Sequence, residues 1–155
     1  MIDRETPTAS WAKFATHQPE LARFGADRLM AAPAYLATVR RSGAPRVHPV
    51  TPVVDEVGLF LFMEPTSPKG RDLRERGWFA LHNGVPDNAG SGGEFFAGGR
   101  GFPMDDPGLW SEVADAASYM PLDRYVLFEL RLSWARCNGY GDVSLPTTTT
   151  WSIDQ

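Results

Sequence analysis

The residues with the clearest chemical potential are Ser67, Pro68 and Lys69, which follow a short apolar run. Serine is a favoured helix N-cap and proline is favoured at the first helical position, so the pattern predicts a helix over residues 68–76. Gly77 then stands where a left-handed residue commonly ends a helix. The free N–H groups of the first turn, the Ser67 hydroxyl and the Lys69 ammonium together predict an anion site that suits a phosphate group.

Lysine is rare in this chain. It occurs only at Lys13 and Lys69, although Lys and Arg together number 15. A compact ammonium kept beside a helix N-terminus favours an anion-binding role. The alternative is that Ser67 only caps a surface helix whose basic residues, Lys69, Arg71, Arg74 and Arg76, form its solvated face.

Composition is typical of an ordinary globular protein. The 155 residues are 43% hydrophobic and 22% charged, which predicts one domain with one core. No apolar run approaches the roughly 20 residues of a membrane span and no secretory signal opens the chain, so we expect no membrane partner and a cytoplasmic location. The net charge of −4 argues against a nucleic-acid partner.

The cysteine and histidine content predicts no metal site. The single Cys137 can form neither an internal disulfide nor a sulfur-rich metal site, so we expect it to be buried as a small hydrophobe. His17 and His82 have no flanking pattern of metal ligands. An isolated histidine such as His48 is more often packed or exposed than catalytic.

Two helices and a series of short strands should position the phosphate segment. Apolar residues recur at helical spacing in residues 10–16 and 19–30, which predicts a helical segment over residues 1–33, ahead of a barrel over residues 34–155, within a single domain. Strands are expected over residues 34–41, 46–54, 58–63, 78–82, 94–104 (with a kink at Gly98 and Gly99), 125–134 and 147–153. Six or seven short strands at hairpin spacing predict a mainly β protein, an antiparallel barrel with peripheral helices.

One further helix and one irregular strand complete these expectations. The helix should run from Asp105 through Met120 and bury its apolar residues Leu109, Trp110, Val113, Ala117 and Met120. The strand over residues 46–54 contains Pro49 and Pro52, which cannot donate to a β-ladder, so it should be bulged or incomplete. That irregularity would leave the N–H groups of Val50 and Thr51 free to face a ligand.

The order of three segments resembles the pyridoxamine 5′-phosphate oxidase-like, FMN-binding split β-barrel family. The segments are AYLATVRRSGAPRVHPV, GLFLFMEPTSPKGRDL and WFALHN, and they cover residues 34–83; EFFAGGRG over residues 94–101 continues the likeness. The most telling pieces are the hairpin ATV…GAP and the spacing of Ser67, Lys69, Asp72 and Leu73.

This resemblance implies a split antiparallel β-barrel that forms a homodimer, with two FMN molecules in clefts at the subunit interface. His48 to Thr51 would line the flavin and ribityl, largely through backbone, and Phe62 and Met63 would continue that wall. Ser67, Lys69 and Arg71 would hold the phosphate. Glu94 would reach FMN from the second subunit, where Gln is commoner. Arg100, in the recurring Gly-Arg pair, has a structural role as its alternative. The implied cofactor-binding residues are His48, Pro49, Val50, Thr51, Phe62, Met63, Ser67, Lys69, Arg71 and Glu94.

The activity implied is that of an FMN-dependent oxidoreductase acting on an unidentified small-molecule substrate, with the flavin carrying the chemistry. Two alternatives remain: a reductase of the same fold that uses an 8-hydroxy-5-deazaflavin coenzyme, and a non-enzymatic flavin- or haem-binding protein. The chain departs from the oxidases themselves in having Pro68 where they have an arginine, and in closing with TTTTWSIDQ instead of an Arg-x-His pair. We therefore expect no true pyridoxamine 5′-phosphate oxidase activity.

Overall fold

The computed structural model describes residues 6–142 and 144–154, which form one antiparallel β-sheet with four helices among them. The helices are α1 (Trp11–His17), α2 (Pro19–Ala31), α3 (Pro68–Glu75) and α4 (Pro107–Ala116). The strands are β1 (Ala34–Val39), β2 (Pro45–Val50), β3 (Val53–Val54), β4 (Leu59–Met63), β5 (Trp78–His82), β6 (Glu94–Met104), β7 (Val126–Asn138) and β8 (Thr149–Ser152). Seven of the eight strands follow the order β2-β1-β5-β6-β7-β4-β3, and β8 pairs with β7 outside that path.

The two N-terminal helices pack against the sheet through aromatic side chains. Ser10 caps α1 by accepting a hydrogen bond from the Lys13 N–H, and Pro19 starts α2 as expected. The ring of Trp11 meets Phe95 of β6 at 5.7 Å between centroids, and the ring of Phe14 meets Trp151 of β8 at 5.0 Å. The helical segment and the sheet therefore contribute to the same hydrophobic cluster.

The β1–β2 hairpin shows why its strand tolerates one proline but breaks at the next. The Arg40 N–H donates to the Ala44 carbonyl, so residues 40 and 44 form a hydrogen-bonded pair. In an antiparallel ladder every second pair is hydrogen-bonded, and the pair of Ala34 with Val50 is therefore one of them. Val50 directs its backbone N–H and carbonyl toward Ala34 of β1. Pro49 falls at an intervening position that faces the free edge of β2, and it removes no ladder bond. The break comes at Thr51 and Pro52, between β2 and β3.

The predicted irregularity is therefore present, but one consequence of it was wrong. The register pairs Val50 with Ala34, so the N–H of Val50 is used in the ladder, whereas Thr51 follows the end of β2 and is exposed. The strand over residues 58–63 pairs with the second part of the broken strand through Val53 and Phe60.

Strands β6 and β7 form the longest ladder, and their register slips between Gly98 and Gly99, where the sequence predicted a kink. A Cβ on Gly99 would lie 2.0 Å from the backbone carbonyl oxygen of Arg131, so no larger residue fits there without moving the strand. The alternation predicted for β7 is also observed: Phe128, Leu130 and Leu132 are buried in the main core. The bulge increases the local twist and helps the sheet to curl.

Helix α4 is shorter than predicted. It ends at Ala116, and Met120 is 91% exposed, so its expected burial was wrong. Ala117, which follows the last helical residue, has an extended backbone with φ −69° and ψ 147°, so the helix ends before Pro121 is reached. Val113 of α4 packs with Phe60, Phe62 and Leu127 in a second cluster on the other face of β4 and β7. None of the described helices is long and apolar enough to cross a membrane.

Candidate functional site

Helix α3 begins as the sequence predicted. Ser67 is buried and its Oγ accepts a hydrogen bond from the Gly70 N–H at 3.5 Å, Pro68 is the first helical residue, and Gly77 has the left-handed φ of +81°. The remaining N–H groups of the first turn point out of the helix end, where the helix dipole favours an anion.

Asp72 anchors α3 to the β1–β2 hairpin. Its buried carboxylate accepts hydrogen bonds from Arg46 Nε at 2.7 Å, Thr38 Oγ1 at 2.8 Å and Arg76 Nη2 at 3.0 Å. Arg76 Nε also donates to the Val39 carbonyl at 2.5 Å. Burial alone would raise the pKa of Asp72, but the bonds from Arg46, Thr38 and Arg76 outweigh it and hold that pKa below its ordinary value.

The sequence offered only part of this network. Asp72 and Arg76 are four residues apart on one helix, a spacing that signals an ion pair. Arg46 is separated from Asp72 by 26 residues, and only the fold brings them together.

Lys69 is the cation at the helix start that remains available. It is half-buried, and among the described residues it has no hydrogen-bond or ion-pair partner, whereas Arg46 and Arg76 are committed to Asp72. Desolvation by burial lowers the pKa of Lys69. Arg71, the other predicted phosphate ligand, is fully on the exposed side of the helix. A half-buried ammonium beside free N–H groups is a donor set that fits a phosphate.

His48 lies next to this helix start, on the face of β2 that Arg46 also occupies. Partial burial, followed by the positive charges of Lys69, Arg46 and Arg40, lowers the pKa of His48, and Asp72 opposes them. The residues that flank His48 in the predicted set are placed differently: Pro49 and Thr51 are exposed, and the Val50 side chain is buried in the core.

The side chains of Phe62 and Met63 point to opposite faces of β4. Phe62 packs in the second cluster, with its ring 5.1 Å from that of Trp110, and Met63 packs in the main core. Both are buried, so their side chains do not form an open wall beside α3. Any contribution from them to a ligand site would come from the backbone.

Glu94 lies at the opposite end of β6 from Met104. Met104 pairs with Leu127, whose partner on β4 is Phe62, close in the chain to the start of α3. The placement of Glu94 at the FMN site of a second subunit, which the resemblance implies, stays a prediction.

Glu94 instead forms a pair that the sequence did not reveal. Its Oε2 lies 2.6 Å from His82 Nε2, while His82 Nδ1 accepts a bond from the Gly84 N–H at 2.8 Å. Because Nδ1 is an acceptor, Nε2 carries the proton and donates to Glu94. Burial would raise the pKa of Glu94, but the bonds from His82 and Tyr140 lower it. No grouping of three or more potential metal ligands occurs in residues 6–142 and 144–154.

Arg100 and Cys137 are both buried. The guanidinium of Arg100 lies 3.3 Å from the centroid of the Trp78 ring, and its Nη1 donates to the Arg76 carbonyl at 2.5 Å. This contact ties β6 to the end of α3 and fits the structural role considered for Arg100.

Cys137 is buried in the main core, as expected.

Solved structures resemble this chain, although no protein-family model and no curated protein matches its sequence. A Clostridium acetobutylicum protein related to general stress protein 26 of B. subtilis, of the pyridoxinephosphate oxidase family, superposes with a TM-score of 0.60 at 16% identity, over 92% of this chain and 96% of that one. A NimC/NimA family protein from the same organism gives a TM-score of 0.65 at 16% identity, over 87% and 93% of the two chains.

A third structure is a haem-binding protein from Mycobacterium smegmatis, with a TM-score of 0.62 at 17% identity. The match covers 83% of this chain but only 57% of that protein, so this chain spans little more than half of its length. Together the similarities establish the fold: this chain is a split antiparallel β-barrel of the kind found in pyridoxamine 5′-phosphate oxidase-like proteins.

Proposed function

We propose that this protein is a homodimeric FMN-dependent oxidoreductase that binds the FMN phosphate at the start of α3. The observation that carries the proposal is Lys69, a half-buried ammonium without a partner among the described residues, at the end of a helix whose first N–H groups point outward. A phosphate satisfies both groups at once through charge-assisted hydrogen bonds. The likeness in fold to a pyridoxinephosphate oxidase family protein supports the choice of a flavin phosphate.

The residues of this chain would bind and orient the cofactor. Ser67, Lys69 and the first N–H groups of α3 would hold the phosphate, and the exposed Thr51, just past the end of β2, would contact the rest of the ligand. Bound flavin supplies hydride transfer, so no protein acid or base is required. The substrate would be a small molecule that stacks on the exposed flavin face.

Haem binding is the second candidate, because the structural neighbours include a haem-binding protein and a haem storage protein.

Cofactor identity is the direct test of these assignments. We expect the purified protein, incubated with FMN and separated from excess ligand, to retain a flavin absorbance spectrum, and mass spectrometry of the released ligand to identify FMN. The same protein should be offered haem and an 8-hydroxy-5-deazaflavin in parallel. Retention of haem or deazaflavin but not FMN would overturn the proposal.

The exposed apolar face of the β1, β2 and β5 region suggests where two subunits meet. Val47 is 63% exposed, Tyr35 is 50% exposed and Trp78 is 41% exposed. The strand registers put Val47 opposite Ala37, and Ala37 opposite Ala80, so these side chains share one face of the sheet. An apolar sheet face of this kind is a candidate for burial in an obligate dimer.

Val47→Glu is expected to convert the dimer to a monomer, because it places a carboxylate with no partner in the apolar interface. Light scattering coupled to gel filtration measures the change in mass. Val57→Glu is a matched control, since Val57 is 42% exposed in the turn before β4 and lies outside this face. A monomeric wild-type protein, or a Val47→Glu variant as dimeric as the control, would contradict the assignment.

A further inference from the structure

His48 and Lys69 lie on the facing sides of β2 and α3, two elements that the bond between Arg46 and Asp72 joins. Residues 46 and 48 point to the same face of β2, because side chains alternate along a strand. Residues 69 and 72 share a face of α3, because they are three apart in a helix. The positive charge of Lys69 accordingly acts on His48 and contributes, after burial, to the lowering of its pKa.

The carboxylate nearest to this pair is already saturated. Asp72 accepts from Arg46, Thr38 and Arg76 and is 3% exposed. The negative charge of Asp72 is thus shared between two arginines. Asp72 therefore opposes only in part the effect of the cations on the pKa of His48. Arg40, in the hairpin turn, adds to that field. The imidazole of His48 therefore lies among cations and without a hydrogen-bond partner in the described residues.

We infer that an anion bound at the start of α3 is taken up together with a proton, which His48 binds from solvent. This inference rests on the phosphate site proposed above and assigns His48 a role there. The step forms one N–H bond on the imidazole and changes no other covalent bond. Protonated His48 then donates a charge-assisted hydrogen bond to the anion, beside Lys69.

Thermodynamic reciprocity supplies the physical reason. In the free protein the cations around His48 disfavour its protonation. A phosphate bound at the start of α3 instead places two negative charges beside the imidazole. An opposite charge within about 4–6 Å commonly shifts a pKa by about 1–3 units toward the charged form. If the anion raises the proton affinity of His48, then the proton must raise the affinity for the anion by the same factor.

The pH dependence follows with a definite sign. Above the pKa of His48 in the complex the imidazole is neutral in both states, and affinity does not depend on it. As pH falls through the window between the bound and free pKa values, affinity for the anion rises by up to about tenfold per pH unit. Below the free pKa the gain is complete.

The imidazole can be followed directly by NMR titration of the wild-type protein, alone, with inorganic phosphate and with FMN. We expect the pKa of His48 to rise by about 1 unit or more with either ligand, while the signal of His17, remote from α3 on α1, serves as the internal control. Calorimetry in phosphate-free buffers of different ionisation enthalpy should show that the wild type takes up more protons per FMN than His48→Gln does. Comparison with that variant removes the contribution of the phosphate's own ionisation near pH 6.

Each outcome decides the inference. A raised pKa of His48 and the extra proton uptake support it. An unchanged pKa in a protein whose FMN binding depends on Lys69 overturns it and leaves the proposed function intact. Absence of any binding of FMN or phosphate overturns both.

Discussion

Lys69→Ala is expected to weaken FMN binding about 10- to 150-fold. A hydrogen bond to a charged group contributes about 1.5–3 kcal/mol, which corresponds to that range in the dissociation constant. The effect should be near the upper end, because Lys69 is half-buried and the neighbouring Arg46 and Arg76 cannot replace it while they bind Asp72. Quenching of flavin fluorescence on titration with protein measures the affinity.

The control for this experiment is Lys13→Ala. Lys13 is the second of the two lysines, and it is exposed on α1, away from α3. The Lys13→Ala variant should bind FMN with the affinity of the wild type. If the folded Lys69→Ala variant binds FMN as tightly as this control, the assignment of the phosphate to this site is wrong. Raised salt should weaken binding to the wild type more than to Lys69→Ala, because the ammonium supplies the screened interaction.

Asp72→Ala is expected to lower the free energy of unfolding by about 3 kcal/mol, at the lower end of the range for breaking a buried ion pair. The lower end applies because the side chains of Arg46 and Arg76 are 21% and 20% exposed, so both cations retain access to water after the carboxylate is lost. For a chain of this size the change corresponds to a fall in Tm of about 6–12 °C. Differential scanning calorimetry without cofactor measures it.

Glu75→Ala is the matched control on the same helix. Glu75 is exposed, and within residues 6–142 and 144–154 its ion-pair partner is Arg76 Nη1 at 2.8 Å, so its loss should cost less than about 1 kcal/mol. Equal stability of the two variants would show that the Asp72 network does not anchor α3.

The stability contributed by Asp72 should also depend on pH with a defined sign. Because the pKa of Asp72 is depressed in the folded state, its contribution is complete above the unfolded value of about 3.9 and is lost as pH falls through the folded value. The difference in unfolding free energy between wild type and Asp72→Asn should therefore shrink in acid.

Local patterns in the sequence were enough to predict the start of α3 and several strand features. Ser67, Pro68 and Gly77 act within a few residues of each other, through capping, a fixed φ and a left-handed φ, and these are properties of residue type. The kink at Gly98 and Gly99 is likewise a local feature. Apolar and polar residues alternate along β7, and this alternation indicates which face of the strand is buried. Local patterning did not predict the end of α4, which falls at Ala116 although apolar residues continue at helical spacing to Met120.

What surrounds Lys69 was decided by the tertiary structure. Whether a cation is free or paired depends on residues distant in the chain: Arg46 meets Asp72 across 26 positions, and His82 meets Glu94 across a loop of 11 residues. The ladder register, which follows from the turn at residues 40–44, also determined that Val50 uses its N–H in the ladder. The sequence by itself determined which residues could bind an anion; only packing between α3 and the β1–β2 hairpin determined which of them are left to do so, because burial and pairing arise from long-range contacts.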